Sequence, residues 1–278
     1  MSEYVSPVLA VRQKTSITFH KKILPWLFDL RRLLGLAVFL ILWELAPRFE
    51  WVDPTFLPPF SVVLGALGDM AVSGEIFKHL GISLFRSLTG FGIALVVAIP
   101  LGLVIGWFSR VSFYLTPLFE TFRQTSVLAL FPVFILFFGI GEVSKIMVIF
   151  WGVQWPILLN TISGVRNVDP LLIKSARSMG TKNTTLFVKV ILPSAIPTIF
   201  TGIRLSATVS ILVLVAAEMM GASAGLGYLL FDSQAKFQIP KMYAAIVSMA
   251  LLGLVVNGVL GFIENKISFW KDDLGTKQ

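Results

Sequence analysis

The chain has 278 residues, 56% hydrophobic and 14% charged, with a formal net charge of +8 and no cysteine. Soluble domains carry about 25% charged residues, and a soluble fold of this size needs more polar surface than these side chains supply. Disordered, collagen-like, coiled-coil and disulfide-framed classes are excluded as well, which leaves an all-α polytopic membrane protein.

Charge-free runs place the spans at 87–109, 124–141, 146–165 and 242–263. Each approaches the ~20 residues that cross a ~30 Å hydrocarbon core. Two more apolar stretches are interrupted, the first by Glu44 and the second by Arg204 and Glu218. The expected layout is a basic tail over 1–32, a transmembrane domain over 33–265 and a second tail over 266–278. Six spans are expected within it, at 33–47, 87–109, 117–138, 143–164, 195–219 and 242–264. With both termini on the cytoplasmic side, fifteen of the 23 basic residues fall inside and six outside, which is the sense of the positive-inside rule. The excess positive charge is therefore a topology signal, and no nucleic-acid partner is expected.

In chain order, the basic tail leads to an interfacial helix around Ile23 to Leu30. The first span is read as uncleaved, because Trp43 and Glu44 make a poor signal-peptidase region. Residues 48–86 open with turns at Asp53-Pro54 and Leu57-Pro58-Pro59. They continue as a helical pattern through Val62, Val63, Leu67, Met70 and Ile76, interrupted at Ser73-Gly74 and lying along the outer interface. The second span holds Pro100, a kink signal, and the close-packing spacing Gly102…Gly106. The loop 165–194 is the one long segment on the inner side. Asp169-Pro170 reads as an N-cap and first helical position, and Gly180 as a left-handed C-terminal stop. A second short helix, Thr184 to Ile191, is expected to end at Leu192-Pro193.

This loop carries a resemblance. Lys174-Ser175-Ala176-Arg177-Ser178-Met179-Gly180 with Ile191-Leu192-Pro193 resembles the "EAA…G…I-LP" loop of ABC-importer permeases. Ala195-Ile196-Pro197 with Gly202-Ile203-Arg204 resembles the "A-x-P…G-x-R" of the nitrate/sulfonate/taurine branch. In register with it are Ser83-Leu84-Phe85-Arg86 through Gly90-Phe91, Pro100-Leu101-Gly102-Leu103 and Phe138-Gly139-Ile140-Gly141-Glu142-Val143-Ser144-Lys145. Asn160-Thr161 with Gly164-Val165-Arg166, and Ala217-Glu218-Met219 with Gly225-Leu226-Gly227, complete the set. The resemblance implies a type I importer transmembrane domain in a bacterial inner membrane. It also implies a second permease copy or homologue, two separate ATPase subunits carrying ATP and magnesium, and an external solute-binding protein.

By the same resemblance, Ile173, Lys174, Ser175, Ala176, Arg177, Met179, Gly180 and Thr181 form the coupling helix that enters a groove of the ATPase. Two positions depart from the family pattern. Lys174 stands where Glu is usual, so the partner groove is acidic there or neighbouring residues make the contact. Arg123-Gln124-Thr125-Ser126 lacks the Pro of "R-x-I-P", so that kink is absent or passed to Pro132.

No Gly is followed by Lys anywhere in the chain, so there is no phosphate-cradling loop of the P-loop type. The chain is expected to be a non-catalytic subunit that binds no cofactor. His20 and His79 are isolated, with packing or surface roles. Four charged residues in or beside spans are pathway or gate candidates. Glu120 and Arg123 are three apart and suited to a local ion pair. Arg204 either meets an anionic solute or snorkels to headgroups, and Glu218 forms an outer gate or caps a re-entrant turn. Glu44 is expected to pair with Arg48. Trp107, Trp151 and Trp155 face lipid, packing partners or the pathway. The competing reading is a self-contained secondary carrier, which predicts internal repeats and a broken helix with a midplane ion site; no convincing repeat is visible.

Overall fold

The computed structural model describes the backbone of residues 24–267 and the side chains of 34–264 and 266. Most of the basic tail, Ile23 included, and residues 268–278 lie outside the described residues. The chain divides into two compact units, Met1–Phe60 and Ser61–Gln278. All described secondary structure is helical, with no strand among the described residues.

The first unit contains α1 (Leu24–Arg48), which runs unbroken from Leu24. The interfacial helix expected around 23–30 is thus not a separate element. Glu44 pairs with Arg48 one turn on at 2.5 Å. The Trp43 indole donates to the Pro58 carbonyl at 3.2 Å, with its ring against Phe39 and Phe60.

The second unit begins at Ser61, the second residue of α2 (Phe60–Val72), and Gly74 at φ 77° breaks the chain before α3 (Glu75–Trp107). The interruption read at Ser73-Gly74 is where the structure places it, but the following helix starts twelve residues ahead of the expected span. At ~1.5 Å per residue, the 33 residues of α3 reach about 50 Å, well beyond the hydrocarbon core. Small residues recur on it every fourth position, at Gly90, Ala94, Ala98, Gly102 and Gly106, all buried. They face α6 (Glu142–Arg166) in one constant register: Gly90 meets Ile149, Gly102 meets Thr161 and Gly106 meets Val165. A Cβ at any of the three would come within 2.9 Å of its neighbour. Close backbone approach is how membrane helices gain packing energy when lipid is as apolar as their side chains.

Between α3 and α6, where one span was expected over 117–138, the chain is not one straight helix. It folds into α4 (Ser109–Gln124) and α5 (Val127–Phe138), bent by 96°. The break sits at Thr125 and Ser126, both extended, where the Ser126 hydroxyl accepts from Ala129 N and starts a new helix. Pro132 stays inside α5 and does not supply the bend.

Helix α6 packs on its other face against α9 (Leu192–Met219), antiparallel to it. Gly202 of α9 lies against Pro156 and Asn160, Gly164 lies against Ala195 and Thr198, and Gly152 approaches Val213. Near Pro156 the buried Ser206 hydroxyl of α9 donates to the Val153 carbonyl at 2.7 Å. Side-chain bonds of this kind tie neighbouring membrane helices together. The chain then turns through α10 (Leu226–Ala235) into α11 (Ile239–Ile267).

The second short helix of the loop does not end at Leu192-Pro193. α8 (Asn183–Leu186) passes through a π-turn over Phe187–Ile191 directly into α9, giving one helix of 37 residues over Asn183–Met219. Pro193 cannot donate a backbone bond and its ring crowds the carbonyl four residues back. In the π-turn, Leu192 N bonds instead to Phe187 O, five residues back. Four helices among the described residues are long and apolar enough to cross a membrane, or five if the bent α4–α5 pair counts as one span.

Candidate functional site

The coupling-loop residues lie on and just after α7 (Pro170–Ser178), whose ends the local sequence dictates. The Asp169 carboxylate accepts from Leu171 N at 2.8 Å, and Pro170 occupies the first helical position. At the other end Gly180 takes φ 74°, its N–H reaching the Arg177 carbonyl at 2.9 Å while Thr181 N reaches Ala176 O at 3.3 Å. That pair of bonds is a Schellman stop, which needs a residue comfortable in the left-handed region.

One side of α7 is anchored. Ala176 is buried and Ile173 half-buried in a cluster with Val165, Val168, Leu186, Ile191 and Ala195, on which Trp107 of α3 also packs. The other side is open: Lys174, Ser175, Arg177, Met179 and Gly180 are exposed. Leu171 and Leu172 join them, 67% and 48% exposed. The motif did not single out these two leucines, although their place at the N-terminus of a nine-residue helix, off the Ile173–Ala176 face, marks them. Ala176 belongs to the anchor rather than the open surface. The four basic residues Arg166, Lys174, Arg177 and Lys182 are exposed around α7.

Glu218 lies at the far end of α9, about 40 Å from its start at ~1.5 Å per residue. It is fully buried. Its carboxylate accepts from Arg86 at 2.8 Å, from the Ser83 hydroxyl at 2.8 and 2.9 Å, and from Gly227 N at 2.8 Å. Arg86, 2% exposed, also donates two bonds to Glu142 at 2.5 and 2.6 Å and one to the Ala224 carbonyl at 2.6 Å. Leu226 N reaches Ser83 Oγ at 2.8 Å and Gly225 N reaches His79 Nδ1 at 3.0 Å. Three side chains from α3 and α9 thus satisfy the N-terminus of α10, with a carboxylate at its positive end. Glu218 and His79 thus both accept backbone N–H groups at the start of α10.

Arg86 and Glu142 were legible only as letters of a pattern. The stretches that carried the resemblance, Ser83–Arg86, Glu142, Ala217–Met219 and Gly225–Gly227, converge on this one cluster.

The remaining candidates stand apart. Glu120 and Arg123 are both exposed on α4 and, among the described residues, form no ion pair with each other, so the local pair suggested by their spacing is not made. Arg204 binds Glu264 of α11 at 2.8 Å. Trp151 and Trp155 stand edge to face at 5.2 Å in an aromatic cluster with Phe119, Phe122 and Phe134, while Trp107 packs on Phe187.

The described residues define an all-helical class, with long apolar helices able to cross a membrane and a short, half-exposed helix, α7, at one end. The transmembrane fold is shared with the MetNI methionine ABC transporter in an inward-facing conformation, at TM-score 0.62 and 16% identity, covering 69% of this chain and 95% of that one. An amino acid ABC transporter with histidines matches at TM-score 0.57 and 16% identity, covering 74% and 97%.

Residues 98–269 match the family described as binding-protein-dependent transport system inner membrane component, and the chain belongs to that family. SsuC of Bacillus subtilis, named for aliphatic sulfonates transport, is 37% identical over 237 residues, covering 85% of this chain and 86% of its own. The taurine transport system permease TauC of Escherichia coli is 30% identical over 265 residues, covering 92% and 96%. The nitrate import permease NrtB of Leptolyngbya laminosa is 32% identical over 192 residues, covering 69% of each.

Proposed function

We propose that this chain is the transmembrane permease subunit of an ATP-driven, binding-protein-dependent importer for a small oxyanion of the sulfonate, taurine or nitrate kind. A second permease copy or homologue completes the pathway, and two ATPase subunits, which hold ATP and magnesium, dock beneath. The membrane is the bacterial inner membrane, with both termini and α7 on the cytoplasmic face. The α10 end meets the solute-binding protein.

The observation that carries this reading is α7. It is capped at both ends, anchored through Ile173 and Ala176, and exposes Leu171, Leu172 and Met179, apolar groups that a solvated connector has no reason to present. Its anchoring cluster joins the ends of α3, α6 and α9. A push on α7 therefore passes as a rigid-body shift into the spanning helices. Lys174 and Arg177 on the open side call for an acidic receiving groove.

Co-expression with the ATPase and affinity capture in detergent tests the docking. Wild type is expected to retain the ATPase and the Leu172→Asp/Met179→Asp form to lose it while still inserting in the membrane. Equal retention by both forms would remove α7 from the interface.

A further inference from the structure

A cavity of about 770 Å³ lies between α9 and α11, with Leu230 of α10 on its wall. The wall is apolar except for Arg204 and Thr208 on α9 and Asn257 on α11. Helical spacing brings the three together. Arg204 and Thr208 are one turn apart, and Asn257, Gly261 and Glu264 share one face of α11 at steps of four and three. Gly261 leaves a gap in that face which the guanidinium fills, since a Cβ there would stand 2.6 Å from Nη2. Nη1 holds Glu264 at 2.8 Å.

Donors are left over. Arg204 Nε is buried without an acceptor. Among the described residues neither the Thr208 hydroxyl nor the Asn257 carboxamide has a hydrogen-bond partner. Thr208 and Asn257 are exposed and Arg204 is partly so, which leaves these donors open to a ligand, while the buried Arg204 Nε lacks the acceptor that would offset its burial. A guanidinium with a hydroxyl and an amide beside it is the donor set that recognises planar or tetrahedral oxyanions.

We propose that Arg204, Thr208 and Asn257 form an inner station for the oxyanion head group of the cargo, and that Glu264 is a resident counter-anion. The cargo displaces Glu264 from Arg204, and the return of Glu264 releases the cargo. The proposal rests on reading the chain as an importer permease. Two anions competing for one guanidinium keep the occupied state weak, and a site on a conduction path must bind well enough to be entered and loosely enough to be left. Small residues such as Ala216, Ala250 and Gly253 on the wall leave room for a short aliphatic tail.

The test is equilibrium binding of radiolabelled methanesulfonate to the purified full chain in nanodiscs, as wild type, Glu264→Gln and the double form Arg204→Gln/Glu264→Gln. Glu264→Gln is expected to bind about tenfold more tightly than wild type. The double form, which leaves no charge unpaired, is expected to lose binding. Uncharged methanesulfonamide is expected to ignore the Glu264→Gln change. Equal methanesulfonate binding in all three forms, weaker binding in Glu264→Gln, or a matching gain for the sulfonamide overturns the proposal. Each form is also assayed for ATPase capture: capture retained with the binding pattern absent removes the station alone, whereas no capture even by wild type removes the importer reading.

Discussion

An arginine on a membrane helix ranks among the costliest residues to place, yet Arg86 is buried with four bonds to Glu142, Glu218 and Ala224. The cost is offset because its donors all meet acceptors, two carboxylates and a carbonyl, and because Glu218 has its remaining oxygen positions filled by Ser83 and Gly227. Nothing in the local sequence announces this, since Arg86 is 132 residues from Glu218. The isolated letters were visible, but only the α3–α6–α9 packing brings them together. Removing the Glu218 charge leaves buried Arg86 with half-exposed Glu142 as its remaining carboxylate partner. Glu218→Gln is expected to destabilise the chain by about 1–3 kcal/mol, read as a lowered unfolding midpoint in detergent. Ser83→Ala strands one backbone N–H of α10 and is expected to cost about 1–3 kcal/mol in the same measurement. A Glu218→Gln midpoint equal to wild type would show that the cluster contributes no net stability.

Among elements, α7 was legible because its signals are local and redundant: Asp169 and Pro170 begin it and Gly180 ends it within twelve residues. The α4–α5 elbow was not, because no proline or glycine stands at Thr125-Ser126 and only the Ser126 cap marks the new helix. The continuation through Pro193 was missed for the opposite reason. Proline is a strong stop signal, and the π-turn that accommodates it has no sequence mark of its own. The close-packing spacing Gly102…Gly106 was read correctly as a packing device, but its partner helix emerged only in three dimensions. Gly102→Leu would drive a side chain into Thr161 and the Leu158 carbonyl. Overpacking of this kind costs about 1–3 kcal/mol, and the expected result is a lower unfolding midpoint with wild-type ATPase capture. A harmless Gly102→Leu would mean that α3 and α6 are not held at this distance.

In the whole molecule, low charge content and its distribution acquire a structural meaning. Among the described residues, charges gather in a buried cluster of α3, α6 and α9, in an ion pair between α9 and α11, and as exposed basic residues around α7, with further pairs such as Glu44–Arg48 elsewhere. The proposed function draws the energy for transport from partner ATPase subunits. The most direct measurement is accumulation, in proteoliposomes, of the solute carried by the binding protein under two driving forces. The assembled complex is expected to accumulate solute only when ATP is present on the α7 side, with an imposed ion gradient having no effect. Accumulation by this chain alone, on an ion gradient and without nucleotide, would contradict the assignment as an ATP-driven permease subunit.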